Sequence, residues 1–137
     1  MTDEARRSRR FGWTAVAVWA LFGVAIEAAH GFKLAVYLDD DLRHTLLRLA
    51  HAHGVILGLV VLTLAGAGSP YAAGDRGARV TGVLLRLAAL IIPVGFAASA
   101  VAPHEGDPGV PVVLVPVGGV VLVAGLTRAA WRSWRGP

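Results

Sequence analysis

The fold class this sequence predicts is all-α, a polytopic membrane four-helix bundle forming a single domain over 1–137, with both termini cytoplasmic. Three observations predict it. Of 137 residues, 55% are hydrophobic and only 16% charged, and mean hydropathy is +0.62, whereas a soluble domain carries about a quarter of its residues as charges. The charges are also clustered, since 11–26, 49–74, 87–103 and 108–127 contain no Asp, Glu, Lys or Arg. With their ends included, four segments, about 11–33, 45–66, 80–102 and 109–127, reach the roughly 20 apolar residues that a spanning helix needs.

The first segment follows "RRSRRFGW". A basic stretch before an apolar one resembles a signal peptide, and "SRRF" has a trace of the twin-arginine pattern. No convincing small-x-small cleavage site follows, so an uncleaved first helix is expected. The "DDDLR" run, Asp39 to Arg43, ends a connection and caps the second segment, leaving Arg43 as a surface charge. That segment contains Gly54 and Gly58, a Gly-x-x-x-Gly pair whose small side chains let two helices approach closely in lipid. The turn-rich loop "GAGSPYAAGDRG" has no phosphate-cradling pattern. In the third segment Pro93 predicts a kink and a freed carbonyl near residue 89. The fourth, with Pro111, Pro116, Gly118, Gly119 and Gly125 and no ionisable residue from Pro108 to Thr127, reads as a packing helix without chemistry. Trp13, Trp131 and Trp134 suit interfacial anchoring.

Ten of the thirteen basic residues (Arg6, Arg7, Arg9, Arg10, Arg76, Arg79, Arg86, Arg128, Arg132 and Arg135) flank one side of these segments. Lys33, Arg43 and Arg48 remain for the other, together with Glu27, Asp39, Asp40, Asp41, Glu105 and Asp107. Basic excess marks the cytoplasmic face. The expected location is therefore the cell inner (plasma) membrane, with connections 34–44 and 103–108 outside. The pI of about 10.7 reflects topology and contact with anionic lipid rather than nucleic acid.

All five histidines, His30, His44, His51, His53 and His104, fall in the outer half. Glu27 and His30 share a helical face at i, i+3, and Glu27 is the only acid inside a span. Glu27 and His51 both lie about 9 Å below the outer helix ends, so they can be level. His44, Arg48 and His51 form another stripe, from which Arg48 either snorkels outwards or pairs with Glu27. His51 and His53 differ by two positions, about 200° around the helix, and cannot both face one point. Ionisable groups at such depth are functional candidates by default. The expected site is an outer pocket of Glu27, His30, His51, His53, His104 and Glu105 holding a metal ion, with His30, His51 and His53 as the cofactor-binding imidazoles.

With no cysteine and no methionine beyond Met1, the donors are imidazole and carboxylate. These suit iron, zinc, copper(II) or manganese, or haem iron held by histidines. There is no nucleophile elbow and no His-Glu-x-x-His, so hydrolysis has no support, and no catalytic residue is assigned. A proton or electron role fits a side chain that titrates near neutral pH.

The His51-Ala52-His53 pair resembles the His-x-His of the haem–copper oxidase catalytic subunit, where two imidazoles leave one helix on opposite sides to serve two haems. The likeness covers about one helix of four, and the oxidase's other histidine ligands, tyrosine and twelve-helix core have no counterpart here. The wider "LAHAHG" context resembles small uncharacterised four-helix bacterial inner-membrane proteins. The oxidase likeness implies haem or copper. The expected function is electron transfer, redox chemistry or cofactor handling with a metal ion (iron, copper or zinc) or haem. The alternative is a non-enzymatic accessory or structural subunit whose polar residues hold helices or a partner together. A proton-coupled transporter ranks third, since only Arg86 continues a polar path through the inner half. The expected partners are the lipid bilayer and a homo-oligomer or larger membrane complex.

Overall fold

A computed structural model describes residues 2–66, 76–101, 103 and 106–135. Four long helices carry the chain: α1 (Asp3–Gly31), α3 (Asp41–Leu64), α4 (Arg76–Ser99) and α5 (Leu114–Arg135). A one-turn α2 (Ala35–Leu38) lies between α1 and α3, and a 3-10 turn (Val110–Val113) leads into α5. All four long helices are long and apolar enough to cross a membrane. At 1.5 Å per residue the 24 residues of α3 extend about 36 Å, more than the ~30 Å hydrocarbon layer.

The helices run past the expected boundaries at the end of the bundle that carries the termini. The expected start near residue 11 becomes Asp3, where the Thr2 hydroxyl accepts from the Ala5 N–H and Asp3 and Glu4 occupy the first turn. The expected stop near 127 becomes Arg135. Hydropathy marks where a helix leaves lipid, whereas caps and good helix formers such as arginine decide where it stops. At the opposite end Asp40 caps α3 as expected, accepting from the Arg43 N–H at 2.9 Å. The 34–44 connection is more structured than expected. Lys33 turns the chain with φ +52°, and the Leu34 N–H reaches back to Ala29 O at 3.0 Å. Nearly all of the "GAGSPYAAGDRG" loop lies outside the described residues.

Successive long helices pack antiparallel in chain order. Gly12 faces Leu62 and Gly23 faces His51 across α1 and α3, while Gly95 faces Leu114 and Gly125 faces Leu85 across α4 and α5. Leu57 and Val61 of α3, Leu85, Ala88, Ala89 and Ile92 of α4, and Ala129 of α5 form the core. Lipid tails are as apolar as these side chains, so close packing rather than burial from water holds the interfaces. Glycines make that packing possible. A Cβ at Gly54 would overlap the Trp19 indole, and one at Gly58 would lie 2.9 Å from Val16 Cγ2. The Gly-x-x-x-Gly face is therefore occupied by α1 of the same chain. In α5, Gly118 meets Ile92 and Gly125 meets Leu85, in keeping with a packing helix. The α4 helix passes unbroken through a buried Pro93.

Candidate functional site

His51 and His53 diverge as their 200° separation requires. Because α3 lies between α1 and α4, one imidazole meets each neighbour. His51 Nδ1 is 2.7 Å from the Trp19 carbonyl of α1, and its ring lies on Gly23, where any Cβ would collide with it. His53 Nδ1 is 2.8 Å from Leu49 O on its own helix, and its ring rests against Phe96 of α4 with centroids 5.0 Å apart. A carbonyl only accepts, so Nδ1 must carry the proton in both bonds. In the neutral rings Nε2 then keeps its lone pair.

At the end away from the termini a second cluster gathers. The His30 and His44 rings stack with centroids 5.9 Å apart and 18° between planes. Tyr37 of α2 stands edge-on to both, 4.6 Å from His44 and 6.3 Å from His30. Tyr37 is only 4% exposed, and this burial raises its phenol above the ordinary value; Arg48 opposes the shift and Glu27 adds to it. Glu27, His30 and Arg48 are themselves exposed, while His44 is half-buried.

The six expected site residues are thus distributed. His30 joins His44 and Tyr37, with Glu27 close enough to act on the same phenol, while His51 and His53 lie deeper and apart. Opposite His51 stand Gly23 and Trp19, one to two turns below Glu27. His104 and Glu105 lie outside the described residues. Among the described residues no group of three or more His, Asp or Glu is placed to hold a metal ion, and Glu27 forms neither a hydrogen bond nor an ion pair with any of them.

Several polar contacts differ from expectation. Arg43 is no plain surface charge: Nε donates to Ala100 O at 3.1 Å and Nη1 to Val36 O at 2.9 Å, tying α3 to the ends of α4 and α2. Arg48 is exposed and forms no ion pair with Glu27; the ion pair formed among the described residues joins Arg86 of α4 to Glu4 of α1. Ser8 donates to Glu4 at 3.3 Å and accepts from Arg86. Glu4 is 6% exposed and Arg86 17%, and Gly82 makes room, since its Cβ would strike the Glu4 carboxylate. Sequence reasoning left Glu4 and Ser8 out. The available signal was Arg86, a charge inside a span that needs a partner, with Glu4 and Ser8 spaced i, i+4 on an extended α1.

No family model matches this chain, and neither a curated protein nor a solved structure shows significant similarity to it. The fold and composition define its class, an all-α chain with four helices long and apolar enough to cross a membrane.

Proposed function

We propose that this protein is a small multi-pass membrane protein that serves as an accessory or structural subunit, whose half-buried and buried polar side chains fasten its own helices. The hydrogen bond from His51 to the Trp19 carbonyl carries this reading. It supplies what an imidazole between two apolar helices needs, and His53 and Arg43 likewise end on backbone carbonyls. An interhelical bond such as that of His51 contributes about 0.6 kcal/mol on average and at most about 1.7. The basic excess beside the termini supports a bacterial inner membrane with both ends cytoplasmic.

A second reading is favoured by one observation. Both helix 3 imidazoles hold Nδ1 on a carbonyl and leave Nε2 as the lone-pair nitrogen, the arrangement that orients a metal-ligating histidine. In this reading His30, His51 and His53, with Glu27, His104 and Glu105, serve a metal ion (iron, copper or zinc) or haem in electron transfer or cofactor handling. Metal content and the visible spectrum of the purified protein separate the two. The accessory reading expects no Soret band and no stoichiometric metal, with His51→Ala lowering thermal stability alone. A Soret band or bound metal that disappears in His51→Ala or His53→Ala would establish the cofactor role and overturn the first reading.

A further inference from the structure

At the terminus-bearing end of α5, Thr127, Arg128, Ala130, Trp131 and Trp134 line a shallow groove. Among the described residues Trp131 and Trp134 are 60% and 88% exposed. Arg128 lies where the uncharged stretch of α5 stops, and Arg135 folds back so that its guanidinium sits 4.5 Å from the centre of the Trp131 ring. The backbones of Arg128 and Arg135 are seven positions, about 10.5 Å along the helix axis, apart, and Arg135 turns back over the Trp131 ring towards the groove that Arg128 lines.

We infer that this groove binds an anionic phospholipid of the surrounding leaflet, its acyl chain against Ala130, Trp131 and Trp134 and its phosphate between Arg128 and Arg135. Charge complementarity selects this occupant. Arg6, Arg7, Arg9, Arg10, Arg76 and Arg79 crowd the same end of the molecule and are exposed, and anionic headgroups collect beside such clusters. Indole belongs at headgroup depth, with its apolar body towards the chains. A stacked guanidinium keeps its N–H edge for phosphate oxygens. The inference is independent of either functional reading.

The test is tryptophan quenching in the full chain carrying Trp13→Phe, which leaves Trp131 and Trp134 as reporters and the half-buried Trp19 as an internal reference. The protein is placed in vesicles containing equal mole fractions of brominated phosphatidylglycerol or brominated phosphatidylcholine. The expected result is preferential quenching by the anionic lipid, corresponding to about fivefold tighter association per guanidinium. The preference should fall when salt is raised to ~0.5 M and disappear in Arg128→Gln/Arg135→Gln, a pair of exposed positions whose replacement leaves the helical circular dichroism unchanged. Equal quenching by the two lipids, or a preference that survives both the high salt and the double substitution, overturns the site and leaves only ordinary contact with surrounding lipid.

Discussion

Tyr37 and His51 are polar side chains accommodated in two different ways, one edge-on to imidazoles and one on a backbone carbonyl. The Tyr37 phenol is buried beside His30 and His44, and its ionisation is pushed above the usual value by that burial. A group whose folded value is raised supplies stability that is fully present below its unfolded value, about 10, and is lost as pH rises through the folded value. The chain has two tyrosines, so Tyr71→Phe isolates Tyr37 in an ultraviolet titration. Its midpoint should lie above about 10, and an ordinary midpoint would contradict the burial. His51 is held by one bond and by a glycine platform. Replacing it with alanine should lower stability by about 1 kcal/mol in detergent, whereas His53→Ala, which breaks a bond within α3 and loses a ring contact with Phe96 of α4 but no interhelical hydrogen bond, should cost less. Comparing the two by thermal circular dichroism checks the assignment.

Between elements, glycine decides how closely helices approach. Gly54 and Gly119 make a controlled comparison, since both lie inside long apolar helices. A methyl at Gly54 meets the Trp19 ring, while nothing lies within 4 Å of one at Gly119. Gly54→Ala should therefore destabilise by about 1–3 kcal/mol through overpacking. Gly119→Ala should be neutral or stabilising by a few tenths of a kcal/mol, through a less flexible unfolded chain. Equal effects in thermal unfolding would show that α1 does not lie on the Gly54–Gly58 face. This pair was legible as a packing surface, but its partner was not. A Gly-x-x-x-Gly pattern announces that something comes near without saying whether it is a second copy or the preceding helix.

Across the whole molecule, the Glu4–Ser8–Arg86 cluster joins the first two turns of α1 to α4, bridging the two helices that flank α3. Removing one partner leaves the other charge buried and unpaired, so Arg86→Leu should cost about 3 kcal/mol. Glu4→Leu combined with Arg86→Leu should recover most of that loss, and a fully additive double variant would rule out the pair. The antiparallel order of the four long helices brings both termini to one end of the bundle, which predicts that they lie on one side of the membrane. Because the chain has no cysteine, Thr2→Cys and Ser133→Cys can each be labelled with an impermeant maleimide in oriented vesicles. Both should react from the side opposite to Asp39→Cys. Reaction of Thr2→Cys and Ser133→Cys from opposite sides would exclude an even number of spans.

The four long apolar helices, their order and the divergence of His51 from His53 were legible in the sequence, because hydropathy, charge clustering and the 100° helical step are local properties of a chain. The Asp40 cap was legible for the same reason. The partners of the polar groups were decided by tertiary structure. Trp19 offers only its backbone carbonyl to His51, and no side-chain pattern announces a carbonyl. Arg43 likewise ends on the carbonyls of Val36 and Ala100, one of them 57 positions away. Glu4 reaches Arg86 across 82 positions, and only because α1 continues as a helix beyond its apolar stretch. Contacts so distant depend on how whole helices lean on one another, and periodicity along a single helix carries no information about that.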